Sequence, residues 1–98
     1  MTTEFAIKQL LEARRIIDEI DSKLIEILDE RFRLTREVGL LKAEHKLDPV
    51  DKTREVEKLA KLRSLCDKKT LNPDFIEELF SSIMEEVVKN HQSIDRQT

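Results

Sequence analysis

From about Thr3 to Lys46 this chain carries helical periodicity through roughly 40 residues that contain no proline and a single glycine, Gly39. At 1.5 Å per residue that is a helix of about 60 Å, whereas a compact globule of 98 residues has a radius of gyration of only about 13 Å. Such a helix cannot bury its apolar face against itself, and the rest of the chain is too short to cover it. The pattern therefore predicts an all-α protein in which a second chain completes the core. Composition agrees: 40% charged residues, one Gly, two Pro and no Trp or Tyr suit long amphipathic helices and not a sheet or a disordered tail.

Two proline signals divide what remains. Asp48-Pro49 ends the first helix, because the residue before proline is pushed out of the α region. Asp51 is placed to cap a second helix running to about Lys68, with Val56, Leu59, Leu62 and Cys66 on its buried side. Asn72-Pro73 repeats the start signal, and the third helix is expected over 73–92, with Ile76, Phe80, Ile83, Val87 and His91 along one stripe. Residues 93–98 are expected to fray. The expected architecture is thus one domain over 1–98 with helices at about 3–46, 51–68 and 73–92.

The long helix carries a second message. Leu10, Ile17, Leu24, Arg31 and Val38 share one heptad column, and Arg14, Asp21, Leu28, Thr35 and Lys42 share the next. Arg14, Arg31 and Lys42 thus interrupt a seam otherwise built from Ile20, Ile27, Leu34 and Leu41. Burying a cation without a partner costs several kcal/mol, and Asp21 can answer only part of that charge, so the seam points to a small anionic ligand. Arg31 and Lys42 lie about 16 Å apart along the axis and can converge on one ligand, whereas Arg14 and Arg31, about 25 Å apart, cannot. Antiparallel pairing of two long helices brings Arg14 of one chain opposite Arg31 and Lys42 of the other, giving two equivalent sites per symmetric dimer.

Other classes are excluded on charge and spacing. A net charge of −3 argues against a nucleic-acid or membrane-surface partner, since those attract through excess Lys and Arg. No run approaches the roughly 20 apolar residues of a membrane span, and MTTEFAIKQLL lacks the pattern of a secretory leader, so a cytoplasmic setting is expected. Cys66 is the only cysteine and reads as a core residue. No phosphate-binding glycine loop or metal-ligand spacing appears, and the two histidines, His45 and His91, sit on different helices; neither a metal nor a cofactor is expected.

The ordered set Arg14, Asp21, Arg31, Val38-Gly39, Lys42, Asp51, Arg54-Glu55, Phe80 and Ile83 resembles the all-helical class of chorismate mutases, without gaps across about residues 10 to 92. The resemblance implies an intertwined homodimer with sites shared between chains. It also implies rearrangement of chorismate to prephenate in phenylalanine and tyrosine biosynthesis. It assigns Arg14 of the partner chain and Arg31 to the substrate carboxylates. Lys42 would touch a carboxylate and the ether oxygen, and Asp51 and Glu55 would hold the ring hydroxyl, Glu55 also orienting Lys42. Arg54 would support these acids. Two positions depart from the family's pattern: His91 stands where a Gln usually donates to the ether oxygen, with Gln92 one residue later, and Val87 stands where a Ser commonly lines the pocket. His91 can donate when protonated, or when neutral in the correct tautomer.

Two further readings belong beside this one. An isochorismate pyruvate-lyase shares the fold and the cationic site, but generally lacks the acids corresponding to Asp51 and Glu55. A non-catalytic dimeric helical interaction or regulatory module would prefer Leu or Ile where this seam has Arg31 and Lys42. A partner enzyme of aromatic biosynthesis is a further candidate for association with such a free-standing domain.

Overall fold

The computed structural model describes Thr2 to Gln97, with side chains described through Ile94. Three helices follow one another: α1 (Thr3–Glu44), α2 (Lys52–Leu65) and α3 (Pro73–Gln97). The all-helical expectation holds, and no strand occurs among the described residues. The chain divides into two compact units, one up to Arg33 and one from Leu34 onward.

The first unit is α1 as far as Arg33. Thr2 opens it by accepting the Phe5 amide on its hydroxyl at 3.1 Å, and Glu4 complements the positive helix end. Its outer face is laced with i,i+3 and i,i+4 pairs: Arg15 bridges Glu12 and Glu19, and Arg33 pairs with Asp29. The Arg15 hydrogen bond holds the Glu12 carboxyl below the ordinary carboxylate range. Leu10, Ile17, Leu24 and Ile27 are about half exposed or more, as an apolar stripe without a covering element must be.

The second unit holds the core. Gly39, Ala43, Cys66, Ile76, His91 and Ile94 are its buried residues among those described. Cys66 lies in the core as expected, its thiol 3.5 Å from the Leu62 carbonyl. The last turn of α1 stops at Glu44, two residues before the expected end and well short of Pro49. The stop is a Schellman turn: Lys46 takes φ 57°, its amide bonds the Ala43 carbonyl at 3.2 Å, and the Leu47 amide bonds the Lys42 carbonyl at 2.7 Å. A lysine in the left-handed region costs about 1 kcal/mol or more relative to glycine, and the two recovered carbonyl bonds offset it.

Asp51 caps α2, its carboxylate accepting the Arg54 amide at 3.0 Å. The helix ends at Leu65 and not near Lys68, because Lys68 itself adopts φ 60°. Val56, expected on the buried side, is 68% exposed, whereas Leu59, Leu62 and Cys66 do face inward. Asn72 and Pro73 start α3 as predicted, with the Asn72 side chain accepting the Asp74 amide at 2.9 Å. Arg63 of α2 clamps the two helices together through Asp74 and Glu77, each at 2.8 Å. α3 runs to Gln97, past the expected end at residue 92, because no breaker interrupts it and Ile94 is buried; Thr98 lies outside the described residues.

Candidate active site

The end of α1 and the capped start of α2 carry three of the expected residues, Lys42, Asp51 and Glu55. Lys42 sits in the last turn of α1, half-buried, with its ammonium 3.5 Å from the Pro49 carbonyl. Among the described residues no carboxylate pairs with it. That carbonyl belongs to the connection that the Schellman turn and the Asp48–Val50 hydrogen bond (2.9 Å) shape, so the α1–α2 turn sets where the ammonium points.

Glu55, in the first turn of α2, keeps only 25% of its side-chain surface and pairs with Lys52 at 3.5 Å. The expected Glu55–Lys42 contact is not what the chain makes: Glu55 faces Lys52, and Lys42 faces the Pro49 carbonyl. Glu55 looks into a cavity of about 390 Å³ between α2 and α3, floored by Val50, Leu59, Met84 and Val88. Lys52 and Lys89 add positive charge to its wall, matched by the carboxylates of Glu55 and Glu85. An apolar floor with charged groups at the rim suits a small ligand that has a carbon ring and charged substituents. Asp51 is exposed beside this mouth, its carboxylate already holding the Arg54 amide, so capping is the first task of that side chain.

On α3, Val87 is half-buried and His91 is buried, at 5% exposure. The His91 Nε2 lies 2.7 Å from the backbone carbonyl of Thr35 on α1. Its ring lies flat against Gly39: a Cβ built on that glycine would stand 2.5 Å from the His91 Cδ2. The His91 Nδ1 is buried without a hydrogen-bond partner among the described residues. The expectation that His91 donates to a ligand therefore meets a constraint, since its Nε2–H is directed at Thr35. Gln92, the neighbouring alternative, is exposed.

In the first unit, Arg31 is half-buried, and Arg14 and Asp21 are exposed on α1. The seating of His91 on Thr35 and Gly39, and the Lys52 partner of Glu55, were not foreseen. The solitary glycine inside a 42-residue helix was the available signal, because an unstrained helical glycine needs a packing reason.

The family model of chorismate mutase type II matches residues 13–92. The chain belongs to this family. A chorismate mutase from Methanocaldococcus jannaschii is 29% identical over 79 residues, which cover 81% of this chain and 80% of that protein. The T-protein of Haemophilus influenzae is 29% identical over 89 residues, 91% of this chain but 24% of that protein, so the chain spans about a quarter of the length of this relative. The matched stretch of the family contains Arg14, Arg31, Lys42, Asp51, Glu55, Val87 and His91. Among the described residues no helix is long and apolar enough to cross a membrane.

Proposed function

We propose that this protein is a chorismate mutase, converting chorismate to prephenate by an intramolecular rearrangement, as a cytoplasmic homodimer with shared sites. The observation that carries the reading is the family match over residues 13–92, which spans a half-buried Lys42 that no carboxylate among the described residues neutralises. A cation held in that state suits an anionic guest.

The rearrangement breaks a C–O bond and makes a C–C bond within one molecule, so it requires no nucleophile and no proton transfer. What accelerates it is restriction of the substrate to its compact conformer and positive charge where the ether oxygen becomes negative. Lys42 is the group proposed at that oxygen. Its ammonium can leave the long 3.5 Å contact with Pro49 for a stronger, charge-assisted bond. Arg31, and Arg14 from the partner chain, are proposed for the two carboxylates, where guanidinium forks pair in bidentate fashion. Asp51 and Glu55 are proposed for the ring hydroxyl, with Val87 and His91 on the α3 wall. A million-fold acceleration needs about 8 kcal/mol, and one preorganised donor supplies roughly 3 kcal/mol, so conformer restriction must provide a comparable share.

The dimer is supported by the apolar stripe of α1. Leu24, Ile27 and Leu34 are 57%, 62% and 60% exposed, and covering each contributes about 1.5–3 kcal/mol. Incubating purified protein with chorismate and following loss of its absorbance, with prephenate identified as product, tests the reading. Release of salicylate from isochorismate, or no turnover of either compound, would overturn it.

A further inference from the structure

The acceptor that holds His91 fixes which form of the ring is present. A backbone carbonyl cannot donate, so the Nε2 at 2.7 Å from the Thr35 oxygen must carry hydrogen. The α-helical pattern already assigns one lone pair of that oxygen to the Gly39 amide, and His91 takes the other. It reaches it by lying across Gly39, where a Cβ would meet the ring Cδ2 at 2.5 Å, Nε2 at 3.0 Å and Cγ at 3.2 Å.

The other ring nitrogen, Nδ1, is buried without a hydrogen-bond partner among the described residues. On α1, Lys42 lies three residues beyond Gly39 on the same face. On α3 the residues one turn from His91 in sequence are Val87, Val88, Ile94 and Asp95. On α2, Glu55 lines the cavity with Val88 and Lys89, and His91 does not line that cavity.

We propose that His91 is a positioning residue: its Nε2–H, held on the Thr35 carbonyl, latches α3 to the end of α1, and it does not donate to the substrate. The latch sits about 4.5 Å along the axis from Lys42 and one turn from Val87. It thereby sets the spacing between the Lys42 stem and the α3 wall. The kinetic part of the test rests on the mutase reading, and the spectroscopic part does not.

Long-range ¹H–¹⁵N correlation spectra of the intact protein should show hydrogen fixed on the Nε2 of His91. A Nδ1–H tautomer, or rapid averaging between tautomers, overturns the proposal whatever the activity. With chorismate, His91→Leu should lower kcat about tenfold or more while KM stays within about threefold, as misplacement of a catalytic group does. His91→Gln, whose amide can still reach the Thr35 carbonyl, should recover most of that kcat. A parental kcat in His91→Leu overturns the latch. So does a parental rate that falls as pH rises across the imidazole range while His91→Gln stays flat, because that profile marks an imidazolium donor.

Discussion

Replacing Gly39 by alanine pits two opposite effects of one methyl group against each other. In an exposed helix interior Gly→Ala stabilises by about 1 kcal/mol, since the backbone loses less freedom on folding. Gly39 has no positive φ, so nothing in its backbone conformation opposes alanine. The opposition is steric. The new Cβ would lie 2.5 Å from the His91 Cδ2, about 0.9 Å inside the 3.4 Å at which ordinary contact begins. His91 is 5% exposed and hydrogen-bonded, so it cannot swing aside freely. Overpacking of this kind costs about 1–3 kcal/mol, and losing the Thr35 bond costs roughly 1 kcal/mol more. The net expectation is destabilisation by about 1–3 kcal/mol, read as a lower urea midpoint at unchanged m by circular dichroism. In a His91→Ala background the same change should become stabilising by about 1 kcal/mol, because the clash is gone and the propensity gain remains. A stabilised Gly39→Ala single variant, or equal effects in both backgrounds, would refute the close packing of ring on glycine.

Four further outcomes are expected. Lys42→Ala should lower kcat by about 10²-fold or more, the usual loss when one preorganised donor is removed, with circular dichroism unchanged. Arg14→Ala should chiefly raise KM, and mixing it with Lys42→Ala chains should restore activity in verified heterodimers; no recovery would count against shared sites. Asp51→Ala removes the α2 cap seen at Arg54, so stability should fall by about 1 kcal/mol in the protein without substrate, measured by urea melts. The Glu12 carboxyl is held below its ordinary range by Arg15, so it favours the fold above the unfolded carboxylate range and that support is lost as pH falls. Helix content should accordingly drop further between about pH 5 and 3 in the parent than in Glu12→Gln, with no difference near pH 7.

Much of the site could be read from residue types at helical spacing. Lys42, Asp51 and Glu55 could be placed because proline and capping signals fix where α1 stops and α2 begins, and the Asp51 cap forms as those signals require. The reading failed where one residue competes with another for a partner. The resemblance to the family implied that Glu55 orients Lys42, but Lys52, in the same first turn of α2, takes it. Val56 was placed inside by periodicity, but only one side of the 14-residue α2 meets α3, and Val56 lies off that side.

The sequence by itself determined the number of helices, their starts, and the apolar stripe that α1 leaves about half exposed. Those properties follow from local backbone preferences and from hydrophobic spacing, which each segment carries with it. Only the tertiary structure decided that α1 ends in a left-handed Lys46, and that α3 stays helical beyond residue 92. It also decided that His91 rests on Gly39 with its N–H on Thr35. That last contact joins residues 56 positions apart in the chain, and the direction of a ring nitrogen depends on which carbonyl the packing of two helices brings within reach.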